Sequence, residues 1–348
     1  MPPTPQGGRQ VTEATVGYVN TKGGLRQFGF AVRSACPRYA KKIKEEGKMW
    51  AWDTFVVPST DVVILDQELG RGTFAKVNVA LFRDQGSAAK VFKTITPPEI
   101  RREIAVLTRL AMLEHPHLCQ LVALTDGEPA MIVMELCQGG TYFALLRGGF
   151  QPSWRQKLMI VQQVSSAIEH LHHHDVIHRD IKSNNVLLWD EVQAEASPCA
   201  KLSDVGLACF QSMPADAMAE GEYYWHAPEM RTEHQTSAVD IYAFGTLLVE
   251  TISHALPRAA DLRAFLNAAD SAPAFAGLAA HCLAPDPATR PGSSEVLLRL
   301  ARLGSRDGWD SQDWMGSAVV RGHSTPVARR LGWDIPEETE TLSAMAPG

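Results

Sequence analysis

From Val176 to Leu188 the chain reads VIHRDIKSNNVLL. An apolar approach and an apolar exit enclose residues His178 to Asn185. That inner stretch is polar at every position except Ile181 and carries both signs of charge. Polar and charged groups concentrated between two apolar runs point to a segment whose side chains do chemistry, and the rest of the chain shows which chemistry.

The sequence has 348 residues, 45% of them hydrophobic and 21% charged, enough for one large core or two smaller ones in an ordinary globular chain. A net charge of −6 offers no basic footprint for nucleic acid or an anionic membrane. The local run Lys41, Lys42, Lys44 and Lys48 is interrupted by Glu45 and Glu46 and reads as a solvated helix face. Six cysteines (Cys36, Cys119, Cys137, Cys199, Cys209, Cys282) are scattered, with no C-x-x-C pair, as suits a reducing compartment. The opening MPPTPQGGRQ has no charged-then-apolar signal pattern, and no apolar run reaches the length of a membrane span. The expected location is the cytoplasm or the nucleus.

Working outward, residues 1–60 are mixed in character, with helical potential around Pro37 to Trp50 and no motif that assigns them a role. From Val62, VVILDQELGRGTFAKVNVALF alternates β-branched and polar residues around a glycine turn, and SAAKVFKTI follows as a further strand. Pro97 and Pro98 open a helix on which Ile100, Ile104, Leu107 and Leu110 share one face; MIVMEL then returns to strand. Beyond Gly140 the chain is mainly helical. Leu158, Val161, Ile168 and Leu171 form a stripe, and DIYAFGTLLVETI is apolar nearly all round, as in a helix buried within a lobe. Strands first and helices second predict an α+β chain in two lobes. Residues 303–348 lose periodicity but keep Trp309, Trp314 and Trp333, as a tail would.

The stretch His178-Arg179-Asp180-x-Lys182-x-x-Asn185 resembles the catalytic loop of eukaryotic protein kinases, a family that serves as a worked template of phosphoryl transfer. A hydroxyl must be steered toward a phosphoryl group whose charge is shared with metal ions. A carboxylate, a cation and a metal-binding amide must therefore converge. The resemblance implies that Asp180 accepts the hydroxyl proton, Lys182 steadies the transferred group and Asn185 holds Mg2+.

Other segments carry the same resemblance in the family's order. LGRGTFAKV looks like the glycine-rich loop, with Gly70 and Gly72 near the phosphates and Val77 roofing the adenine of ATP; Ala75 stands where the third glycine is usual. Lys90, twenty residues beyond Gly70, matches the phosphate-contacting lysine by the A-x-K pattern, in preference to Lys93, and Ala88 lines the adenine site. Glu103 is the helix partner for Lys90, in preference to Glu99. Met134 falls at the gatekeeper position, Glu135 and Leu136 offer backbone groups to adenine, Leu187 joins the ATP-binding set, and Cys137 sits at the pocket lip, where a free thiol is commonly inert. Asp204 matches the second metal-binding residue and Gly206 follows it, but Val205 replaces the usual phenylalanine and loosens the stack between the Glu103 helix and His178. Glu229 closes an A-P-E sequence, Arg290 is its expected buried partner, and Asp240 matches the helix aspartate that braces the catalytic loop from below; His178 and Arg179 are expected to be structural.

The resemblance spans residues 61–302, divided as a small antiparallel-sheet lobe with one helix (61–136) and a mainly helical lobe (137–302). It implies ATP and Mg2+ as cofactors and protein substrates, with no nucleic acid and no membrane span. Lys182, DIYAFGTLLVE and CLAPDPATRP favour the tyrosine-kinase-like serine/threonine branch. Glu222 stands where serine/threonine kinases place a threonine that hydrogen-bonds the catalytic aspartate, and Asp216, Glu220 and Glu222 could replace an activating phosphate opposite Arg179. The chain is also shorter than the family between Glu250 and Cys282. These departures support a second reading, a pseudokinase scaffold. A metabolic small-molecule kinase fits less well, because A-P-E and a full activation segment are present. The cluster His170, His172, His173 and His174 does not follow the usual zinc-ligand spacings and reads as a helix end.

Overall fold

The computed structural model describes residues 55–72, 75–93, 98–111, 115–125, 128–194, 196–211, 224–232, 235–254 and 273–304. The helix expected around Pro37 to Trp50, the tail tryptophans, and Ser212, Asp216, Glu220, Glu222 and Tyr223 lie outside them.

The first half builds one six-stranded sheet from β1 (Val56–Val57), β2 (Val62–Arg71), β3 (Ala75–Phe82), β4 (Gln85–Phe92), β5 (Leu121–Thr125) and β6 (Met131–Glu135), in the order β1-β5-β6-β4-β3-β2. A two-residue turn joins β3 to β4. Arg83 (φ 50) and Asp84 (φ 62) are both left-handed there, the conformation whose twist matches the flanking strands, and Phe82 pairs with Gln85. That turn fixes the register, because a slip of one residue would exchange the faces of every side chain. Val77 therefore pairs with Lys90, and Ala88 pairs with Val79 on one side and Met134 on the other. Val77, Ala88, Lys90 and Met134 share one face. The alternate residues, among them Ala80, Ala89 and Val133, form a separate buried cluster on the other face with Val57, Val62 and Met131.

All neighbouring strands are antiparallel except β1, which runs parallel to β5 through Val56–Leu124 and Val57–Thr125. The last residues of the segment left without a role thus close one edge of the sheet. The helix α1 (Pro98–Ala111) packs its buried Ile104, Leu107 and Leu110 into the core and carries Glu103.

Six residues past the sheet the chain turns helical: α2 (Tyr142–Arg147), α3 (Trp154–His173), α4 (Ala238–Ser253), α5 (Pro273–Cys282) and α6 (Ser293–Gly304). A reciprocal cap starts α3, with the Gln156 amide donating to Ser153 Oγ at 3.3 Å and the Ser153 amide donating to Gln156 Oε1 at 2.9 Å. The α4 segment is buried nearly all round, as its sequence predicts, and α6 lies along α3. Gly139, in the strap leaving the sheet, has no alternative: a Cβ there would lie 2.1 Å from the Asp190 carbonyl oxygen. Among the described residues no helix is long and apolar enough to cross a membrane.

Two short sheets set up the loops of interest. β7 (Val176–Ile177) pairs with β10 (Cys209–Phe210), and β8 (Val186–Leu188) pairs with β9 (Ala200–Leu202). Residues 178–185 run from the first sheet to the second, and residues 203–208 run back. The pairing therefore lays the two loops side by side, although 19 residues separate Asn185 from Asp204.

Candidate active site

The loop at 178–185 is held from beneath by a buried carboxylate. Asp240, in the first turn of α4 and fully inaccessible, accepts the main-chain N–H of His178 and of Arg179 at 2.8 Å each, and the His172 ring at 2.8 Å. Burial alone would push that carboxyl up. Hydrogen bonding from His172 and the nearby His178 outweighs it, and the Asp240 carboxyl stays below its ordinary range. Such support is needed because Arg179 (φ 68) and Asp204 (φ 61) both sit in the left-handed region, where a side chain costs about 1–3 kcal/mol. A second tie runs between the loops: His178 Nε2 lies 3.1 Å from the Ser203 carbonyl, and the Ser203 amide donates to the Asn185 carbonyl at 2.8 Å.

These supports place the polar groups on one cavity of about 620 Å³ between the sheet and the helical part. Gly70, Gly72, Val77, Ala88, Met134, Glu135, Leu136 and Leu187 line it, and so do Lys90, Glu103, Asp180, Asn185, Asp204, Val205 and Gly206. Lys90 Nζ is 2.5 Å from Glu103 Oε1 and 3.3 Å from Asp204 Oδ1. Burial pulls the Lys90 ammonium down, but the charges of Glu103 and Asp204 prevail and hold it above the ordinary lysine range. Burial also works to raise the Asp204 carboxyl, and the charges of Lys90 and His178 leave it below the usual carboxylate range. Lys93 is exposed and does not line the cavity.

Asp180 is the most heavily bonded carboxylate of the site. Lys182 Nζ donates to both oxygens, at 2.9 and 2.7 Å, and Asn185 Nδ2 donates to Oδ2 and to the Asp180 carbonyl, both at 2.8 Å. The Asn185 donors are thereby committed, which leaves its amide oxygen for a cation. With the Asp204 carboxylate this makes an oxygen donor set of the kind that suits Mg2+, and the apolar slot between Val77, Ala88 and Leu187 suits a planar base. The residues present fit ATP with Mg2+.

Glu135 turns its side chain away from the slot, to Lys201 Nζ at 2.8 Å and the Gln120 amide at 2.8 Å, so only its main chain is offered there. Val205 is 4% exposed, in a turn of 3-10 helix (Val205–Leu207) against α1, and the Lys90–Glu103 pair is closed with valine in place. Arg179 Nη1 donates to the Leu207 carbonyl at 3.3 Å. Arg290 and Glu229 lie outside the cavity as an ion pair.

Two participants are not apparent from the sequence. Trp225 donates its indole N–H to Asp180 Oδ1 at 2.9 Å; its place two residues before Ala227 is the one available signal. Cys119 lines the cavity together with Cys137, its thiol donating to the Glu135 carbonyl at 3.9 Å; no spacing links the two cysteines in the sequence. The histidines include stacked rings (His115–His170, 4.7 Å), and among the described residues no group of three or more His, Cys, Asp or Glu side chains is placed to hold a metal ion.

Comparison with known proteins identifies the family. The family model described as protein kinase domain matches residues 63–299. Serine/threonine/tyrosine-protein kinase HT1 of Arabidopsis thaliana is 29% identical over 266 residues, covering 69% of this chain and 66% of the relative. Human mitogen-activated protein kinase kinase kinase 11 is 30% identical over 273 residues, 71% of this chain and 32% of the relative. Mitogen-activated protein kinase kinase kinase 13-A of Xenopus laevis is 28% identical over 263 residues, 74% of this chain and 25% of the relative. The chain thus spans less than two thirds of the length of these curated relatives. They agree with the tyrosine-kinase-like branch read from the residues.

Proposed function

The chain belongs to the protein kinase family, and from that premise we propose that it transfers the γ-phosphoryl group of ATP, bound with Mg2+, to serine and threonine hydroxyls of protein substrates. The observation that carries this reading is the convergence of Lys90, Glu103, Asp180, Asn185 and Asp204 on one cavity, from segments as far apart as β4 and the turn after β9. Losing any one of these five would leave a nucleotide pocket without its chemistry.

When bound, magnesium ATP supplies the phosphoryl group and the cation that shares its charge. Val77, Ala88 and Leu187 enclose the base, the main chain of Glu135 and Leu136 offers it hydrogen bonds, and Met134 bounds the slot. Gly70 and Gly72 let the loop backbone approach the phosphates. Lys90, aligned by Glu103, neutralises the α and β phosphates, and the Asn185 oxygen with Asp204 holds the cation. Asp180 takes the proton of the incoming hydroxyl, and Lys182, two residues on, turns from Asp180 to the transferred group. We assign this activity to residues 61–302, with 61–136 and 137–302 as the two lobes and the flanking segments as extensions. The five described cysteines are all free, which favours a reducing compartment such as the cytoplasm.

The test is incorporation of labelled phosphate from MgATP into a mixed protein substrate, with Asp180→Asn as control and phosphoamino-acid analysis of the product. Label present in the native chain, absent in the control and recovered on serine and threonine upholds the reading. No label, with a magnesium-dependent ATP shift in melting temperature, replaces it with a nucleotide-binding scaffold.

A further inference from the structure

Four hydrogen bonds reach the Asp180 carboxylate, which matches its capacity of about four lone-pair directions. Lys182 supplies two of them, and these are released when the ammonium turns to a phosphoryl group. The two that remain come from uncharged donors on opposite oxygens: Asn185 Nδ2 on Oδ2 at 2.8 Å and Trp225 Nε1 on Oδ1 at 2.9 Å. A carboxylate swivels broadly about its last torsion, so one fixed donor on each oxygen is what sets its plane. Asn185 belongs to the same loop as Asp180. Trp225 comes from the other side, from the segment that leads into Ala227, Pro228 and Glu229.

The indole is itself well held. Its ring meets Tyr224 edge to face at 4.6 Å and His226 at 5.6 Å, and Lys182 Nζ lies over it, 4.6 Å from the centroid. Four residues on, Glu229 is clamped by Arg290, which anchors the chain just past the ring. An indole nitrogen donates and never accepts, so it cannot compete with Asp180 for a hydroxyl proton. The sequence has Glu222, which carries no donor when ionised, at the place where the family resemblance expects a donating threonine.

We infer that Trp225 is a positioning residue of the phosphotransfer centre: its indole N–H holds the Asp180 carboxylate in plane for a serine or threonine hydroxyl, the task otherwise given to an activation-segment hydroxyl. Its ring also packs against Lys182 Nζ where that ammonium bonds Asp180. The inference rests on the kinase reading above, and its test separates the two.

In the full chain, Trp225 is replaced by β-(3-benzothienyl)alanine, which keeps the ring and exchanges the N–H for sulfur, and in parallel by phenylalanine. Loss of one charge-assisted donor predicts a fall of about 10- to 100-fold in kcat with the KM for ATP unchanged, in both variants. Native kcat in the benzothienyl variant overturns the inference and leaves Trp225 as packing. A second readout needs no turnover: among the 15N-labelled indole N–H resonances, the one missing in Trp225→Phe belongs to Trp225, and it should move upfield in Asp180→Asn as the charged acceptor is lost. A resonance indifferent to Asp180→Asn also overturns the inference. A responsive resonance in a chain that incorporates no phosphate upholds the Trp225–Asp180 bond and brings down the kinase reading alone.

Discussion

Arg290 grips Glu229 with both arms of its guanidinium, one terminal nitrogen to each carboxylate oxygen, across 61 residues of chain. Its remaining donors are also used: Nε reaches the Ala284 carbonyl at 2.8 Å, Nη1 the Ala238 carbonyl at 2.9 Å, and Nη2 the Pro285 carbonyl at 3.2 Å. All five N–H groups are satisfied in a side chain with no accessible surface. The segment that carries Trp225 is thereby pinned to the start of α4 and to the turn before Arg290. Arg290→Ala leaves the Glu229 carboxylate and three carbonyls without their partner, and should cost about 3–5 kcal/mol in urea unfolding. Arg290→Lys should recover little of it, since an ammonium has three donors and no fork.

Val205 stands where the family resemblance expects a phenylalanine, and it is buried in the core. It borders the 620 Å³ cavity and lies against α1, which carries Glu103. Val205→Phe should bury enough extra apolar surface to add about 1–2 kcal/mol, seen as a rise of a few degrees in melting temperature. If valine holds the chain partly in a conformation with α1 displaced, kcat should rise by up to about tenfold in the same variant. A higher melting temperature with unchanged kcat would mean that the closed Lys90–Glu103 pair is already fully populated.

His115 makes stability fall with acid. Its Nδ1 accepts the His117 amide at 3.2 Å, which requires that nitrogen to be unprotonated, and Nε2 lies 3.2 Å from Ser166 Oγ. Burial, with the charges of His170, His117 and Lys201, lowers its pKa to about 4 from 6.5. The unfolded chain therefore binds a proton that the folded chain refuses. The contribution is whole above pH 6.5 and is lost as pH falls toward 4. Melting temperature should drop over that window in the native chain, and less in His115→Gln, which keeps a donor and an acceptor but does not titrate.

Cys137 should be the first of the cavity thiols to react. The neighbouring Cys119 holds its thiol below the ordinary cysteine range, against the opposing effect of burial. Burial instead pushes the Cys282 thiol up to about 12. Mass spectrometry after limited iodoacetamide treatment should find Cys137 labelled ahead of Cys119, Cys209 and Cys282. Cys119→Ala should slow that labelling, and MgATP should protect Cys137, since both line the proposed nucleotide site.

Much of the site is legible in the order of residues along the chain. The constraints on Asp180, Lys182 and Asn185 act within one loop, so they leave residue types at fixed short spacings. Lys90 and Ala88 are legible for the same reason, as neighbours on one face of one strand. The hairpin at Arg83 and Asp84 shows its register only in the folded sheet, but the alternation on either side of it is plain in the residues. Residue types and spacings alone establish the family, the two-part α+β architecture and the polar set facing the cavity. It takes the folded chain to bring Trp225 to Asp180, to set Cys119 beside Cys137, to close the sheet in parallel with β1, and to bridge Asp204 to Lys90. These contacts join residues 18 to 114 apart, or strands paired across the sheet. No local period records such a pairing, because it is set by how sheets and helices close on one another when the whole core is buried.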